Sequence, residues 1–133
     1  RTAVRVLRMG QGTEFLEGIL FPGGNMEVER LLTGINGGSM LEELYASSPL
    51  ARAAESGAMA ARGGSLTQFE KDCDDAVLDE VRRAQFVAFG EAPVIAYLAA
   101  KEAEILAIRI ILTGRLADLA PDIIRERLRE AYV

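Results

Sequence analysis

The chain contains no histidine and no tryptophan, and Cys73 is its only cysteine. A disulfide within the chain and a zinc site of the Cys/His type are therefore excluded. Nucleophilic catalysis loses its usual base, since no histidine can activate Cys73, and Asp72 and Asp74 beside it oppose its ionisation. Cys73 reads as a small core filler in a reducing compartment. Positive charge is also scarce: 15 Lys and Arg stand against 20 Asp and Glu, a net charge of −5. Nucleic acid is not an expected partner of so acidic a chain, because phosphate backbones would repel it.

An uninterrupted hydrophobic run long enough for a bilayer is missing too. Val94 to Leu112 comes nearest, but it carries Lys101, Glu102, Glu104 and Arg109. Inserting its Val, Ile and Leu residues would gain roughly 3 to 5 kcal/mol, whereas its near-central charges would cost roughly 7 to 10, so direct membrane insertion is not expected. The chain opens with Arg1, not Met, and runs directly into a helical pattern without a signal peptide, as expected of a fragment or a processed chain.

Alternating β-branched runs are missing, while Ala, Leu, Glu and Arg dominate. The expected fold is all-α: one helical domain over residues 1–133, with short N-terminal helices, a long C-terminal helical hairpin and a final short helix. The first helix, Arg1 to Met9, stops at Gly10, and Thr13 caps a second that ends before Pro22. Asn25 caps a segment through Leu32, Ser39 caps one through Ala46, and another runs from Leu50 to Ala61 before Gly63-Gly64. Ser65 and Gln68 fit a capping box. From there Leu66, Phe69, Cys73, Val77, Val81, Ala84 and Ala88 form one apolar stripe on a helix reaching Ala88. Gly90 and Pro93 make the turn, the next helix continues to Thr113 or Gly114, and Asp122 to Ala131 closes the chain with Ile124, Leu128 and Ala131 inward and its Arg and Glu residues in water.

Gly10-Gln11-Gly12 and the Gly34 to Ser39 stretch lack the preceding strand and the Lys-Ser/Thr of a phosphate cradle, so caps and turns account for their glycines. In "DCDDAVLDE", Asp72, Asp75 and Asp79 share one helix face, resembling the aspartate-rich motif of all-α isoprenoid synthases that hold Mg²⁺. A second such motif is absent and these Asp lie opposite the apolar stripe, so they read as a solvated face, with an Mg²⁺-dependent enzyme as the alternative. No catalytic, cofactor or metal site is expected. Glu80 falls within the apolar stripe and reads as a satisfied structural carboxylate. In the long second helix Ala96, Ala99, Ala100, Ala103, Ala107 and Gly114 make a small-residue stripe, and apolar residues on the remaining sides suggest a central position. Glu102 and Arg109 share a face but stand about 10 Å apart along the axis, too far to pair with each other. A buried ion network is the expected role for them, with direct contact to another protein as the alternative.

Those residues carry a resemblance. "FGEAPVIAYLAAKEAEILAIRIILTGRL" followed by "DIIRERLREAYV" resembles the C-terminal portion of the C-type stalk component of V/A-type ATPases, similar to the eukaryotic d subunit. The family pattern is approximately F-G-x-E-P, Y-L, K-E-x-E-I, R-I-I-L-x-G-K and a closing R-E-R-L-R. Tyr97-Leu98, Lys101-Glu102, Glu104-Ile105 and Arg109 to Leu112 match it, as do "FPGGNME" and "GSLTQFEKDCDD" upstream. Ala92 stands where the family has Glu before Pro, with Glu91 one place earlier, and Arg115 replaces the usual Lys. The resemblance implies the C-terminal domain of a longer, multi-domain helical subunit that is not an enzyme. It also implies a peripheral place at the cytoplasmic face of the membrane, with the shaft subunits D and F and the proteolipid ring as partners and no cofactor. Glu80, Lys101, Glu102 and Arg109 are the positions that form a possible structural or interface set.

Overall fold

The computed structural model describes residues 1–84 and 86–129. Among these, every regular element is a helix: α1 (Thr2–Arg8), α2 (Thr13–Glu17), α3 (Val28–Asn36), α4 (Leu41–Tyr45), α5 (Ala51–Ala61), α6 (Leu66–Ala84), α7 (Ala92–Leu116) and α8 (Pro121–Arg127). Arg1–Asp72 and Cys73–Val133 form two compact units.

In the first unit α5 is the hub, packed by α1 and α4, with α2 and α3 completing the layer. Small residues explain how several elements reach it. Ala53, Ala54, Ser56, Gly57, Ala58 and Ala60 are all buried, and a Cβ on Gly57 would lie 2.9 Å from Val4 Cγ2 and 3.0 Å from the Phe69 ring. Large side chains of neighbouring segments thus press directly on the α5 backbone. Gly34 plays the same part inside α3, where a Cβ would meet Leu44 at 2.6 Å; the expected turn glycine is a packing glycine.

Polar groups close the α5 C-terminus. Gly63 (φ +100°) lets its own N–H donate to Ala60 O and the Gly64 N–H donate to Met59 O, a Schellman ending. Arg8 then donates to the carbonyls of Ala60 (2.8 Å) and Gly64 (2.6 Å), placing a cation where unpaired carbonyls concentrate negative potential. α7 ends in the same way, with Leu119 N donating to Gly114 O and Asp118 N to Arg115 O. There the left-handed residue is Asp118, at φ 54°.

Several starts and stops differ from the sequence expectation. Thr13 is not a cap: Gly12 is, and the Thr13 hydroxyl donates to Asn36 Oδ1 at 2.7 Å. Glu27 and Met40 precede α3 and α4 where Asn25 and Ser39 were expected. Glu43 turns back to accept from the Met40 N–H (3.2 Å), the acidic half of a capping box. Ser65 does cap α6 through its Oγ, which accepts from Gln68 N (3.2 Å), but the Gln68 side chain reaches forward to Asp72. α6 stops at Ala84, short of Ala88. α8 stops at Arg127, beyond which Leu128 is extended; Ala131 lies outside the described residues.

Within the second unit α7 and α8 pack together. A Cβ on Gly114 would stand 2.7 Å from Ile124 Cγ1, so the absence of a side chain there is what seats the buried Ile124. Arg129, expected in water, donates to Asp74 Oδ2 at 2.6 Å, both side chains being largely covered. The extended backbone after Arg127 directs this arginine away from the helical course that would have left it in solvent.

Candidate interaction surface

Asp72, Asp75 and Asp79 do not form the expected solvated face. Asp72 and Asp75 are buried and Asp79 is exposed. Asp72 Oδ1 accepts from Gln68 Nε2 (2.9 Å) and faces Arg52 Nε at 3.0 Å. Its charge is neutralised by an arginine on α5 that the helical wheel of α6 could not reveal. Asp79 pairs with Arg82 at 2.7 Å. The apolar stripe changes correspondingly: Phe69, Cys73 and Leu78 are buried, whereas Val77 and Leu66 are exposed. Among the described residues no group of three or more His, Cys, Asp or Glu side chains could hold a metal ion.

Glu80 is exposed and paired with Arg83 one turn on, at 2.8 Å, not tucked into the apolar face. The other three candidate positions lie on α7, and all are exposed. Lys101 bonds Glu104 at 2.8 Å and stands 5.7 Å from the centre of the Tyr97 ring. The hydrogen bond and the charge of Glu104 raise the Lys101 pKa above its ordinary value. Among the described residues no side chain pairs with Glu102 or with the Arg109 guanidinium, and both are exposed. The expected buried ion network is therefore replaced by two solvent-facing charges.

The reason is the orientation of α7. Its small-residue stripe does face inward: Ala96, Ala100 and Gly114 are buried, with Ala99, Ala103 and Ala107 half-buried. The large residues point the other way. Val94, Leu98, Ile105, Leu112 and Leu116 are all more than half exposed and line the face opposite the alanines at spacings of four and seven. The sequence pattern shows both stripes but implies a helix at the centre of the chain; here it is central to nothing on its outer side. A second feature has no counterpart in the sequence expectations. Phe86 and Phe89, in the turn before α7, are 82% and 90% exposed, and two aromatics so close to Gly90 and the helix-starting Pro93 are the signal that could have identified it.

Despite its apolar surface, α7 is not a membrane span: among the described residues no helix is long and apolar enough to cross a membrane. A broad apolar face with charges set into it suits contact with another protein. No curated protein and no solved structure matches the chain significantly. A family model does, that of the ATP synthase (C/AC39) subunit, over residues 1–127. With nearly all of its length matched, the chain belongs to the ATP synthase (C/AC39) subunit family.

Proposed function

We propose that this chain is the C-terminal domain of a non-catalytic central-stalk adaptor in a V/A-type ATPase. It helps to seat the shaft subunits D and F on the membrane proteolipid ring and so couples ATP turnover to ion movement. Family membership supplies the setting. The observation that carries the reading is the outward face of α7, where Leu98, Ile105 and Leu112 stand exposed on a helix of 25 residues. An exposed apolar face of this extent marks a site of contact with a protein partner. Lys101, Glu102 and Arg109 set register on that face, and Glu80 adds a further charge on α6. No step of the chemistry belongs to the chain; its work is to hold shape under torque at the cytoplasmic face, without entering the bilayer. Closely packed helices suit that work, because native packing density resists deformation.

The test uses the complete rotary complex reconstituted in vesicles, with the region corresponding to residues 1–133 deleted from its subunit. Ion pumping is expected to fail while the released catalytic head still hydrolyses ATP. Normal pumping from a normally assembled rotor overturns the assignment. Co-purification of the full-length subunit with the shaft and ring subunits provides the complementary measurement.

A further inference from the structure

Glu102 and Arg109 present a self-complementary pattern. Both are exposed on the same flank of the α7 outer face, opposite in sign and seven residues, or about 10 Å, apart. A two-fold axis perpendicular to the helix and passing between Ile105 and Leu106 exchanges their positions. That point lies within two residues of the middle of α7, so an antiparallel copy overlaps it along nearly its whole length. We infer that, free of other subunits, this chain pairs with a second copy of itself through the outer faces of two antiparallel α7 helices, Glu102 of each bonding Arg109 of the other.

The remaining residues fit that register. Leu98, Ile105 and Leu112 recur at the interval of seven that keeps a seam in contact between paired helices. Around the axis Ile105 of one chain meets Ile108 of the second, twice by symmetry, and both are 56% exposed. At the ends Ile95 of one chain meets Leu116 of the second, 58% and 90% exposed. Lys101, whose charge would otherwise sit in the seam, is drawn by Glu104 and Tyr97 to the flank away from Glu102 and Arg109. The apolar surface covered is on the order of 1,000 Å² over both copies, the lower edge of what a specific interface needs, so the pair is a micromolar one. A closed isologous pair also stops at two copies and leaves no open end to polymerise.

The inference concerns the free chain and stands apart from the rotor assignment, in which the same face goes to other subunits. Sedimentation equilibrium of the chain from about 1 to 200 µM is expected to show a monomer–dimer equilibrium. Glu102→Arg alone or Arg109→Glu alone sets like charges opposite each other twice and should weaken the dimer about tenfold or more, with helical circular dichroism unchanged. Combining the two substitutions restores opposite signs and should bring the dissociation constant back to within about threefold of the parent. A parent chain that stays monomeric overturns the inference. So does a combined variant no tighter than the single ones, or single reversals without effect.

Discussion

α5 and α7 are both rich in alanine, and both contain a glycine that lets a neighbour approach the backbone, yet the fold uses them in opposite ways. Six of the eleven residues of α5 are buried, against three of the twenty-five of α7. In α5 the small residues receive large side chains from elsewhere, Val4 and Phe69 among them. In α7 they serve one neighbouring side, and the helix turns its own large residues outward. A small-residue stripe therefore states that something packs closely; whether the opposite side is covered depends on how many neighbours the chain can bring.

The strongest challenge to this contrast is Phe69→Ala. Phe69 is 3% exposed against Gly57, and its removal is expected to destabilise the chain by about 3 to 5 kcal/mol, read as a fall in urea midpoint. A loss below about 1 kcal/mol would mean that α5 is not the packed hub described. Gly114→Val probes the close approach on α7. Its new side chain would meet Ile124, where a Cβ already falls at 2.7 Å, for an expected cost of about 1 to 3 kcal/mol. Thermal unfolding of the variant measures it, and an unchanged midpoint would show that α8 does not depend on that glycine.

Smaller effects sharpen the comparison of the two helix ends. Gly63 closes α5, whereas Asp118 occupies the equivalent left-handed position after α7, so Asp118→Gly should stabilise by about 0.5 to 1 kcal/mol by relieving the clash of its Cβ. Destabilisation instead would indicate a role for the Asp118 side chain. Arg109→Ala, measured at submicromolar concentration where the chain is monomeric, should change stability by less than about 0.5 kcal/mol, as for an exposed residue. A loss of several kcal/mol would restore the buried network. The last expected effect is alkaline. Burial raises the Tyr45 pKa above its ordinary 10.0, so the folded chain favours the neutral phenol. That contribution is complete below pH 10 and declines as pH rises through the folded value. Tyr45→Phe should flatten the stability profile above pH 10, and an unaltered profile would assign the decline to other groups.

Much of the helical layout is legible in the sequence. The end of α5 near Ala61, the Ser65 cap and the inward alanine stripe of α7 all follow from local chemistry, since capping and helical period involve residues within about one or two turns; the end of α7 does not, because Gly114 lies inside the helix, which runs on to Leu116. The interaction surface is half legible: Lys101, Glu102 and Arg109 stand out in the sequence, but a wheel diagram treats an apolar face as buried whether or not a neighbour exists. Asp72 fails for the converse reason. A carboxylate opposite the apolar stripe of its own helix looks solvated unless a cation from elsewhere covers it, and Arg52 comes from another helix, 20 positions earlier. The single stripe expected on α6 fails with it, since Val77 is exposed while its neighbour Leu78, outside the stripe, is buried.

Sequence alone determined the all-helical class, the absence of histidine and of a disulfide within the chain, the charged interruption that keeps α7 out of a bilayer, and the ordered motifs that mark the family. These depend on residue type and short-range spacing, which the chain carries wherever it folds. Only the tertiary structure decided that Asp72 is buried against Arg52, that Ile124 seats on Gly114, and that the large residues of α7 look outward while its alanines look in. Burial is a property of pairs of surfaces: periodicity says which side chains travel together around a helix, but only the arrival of another element removes them from water.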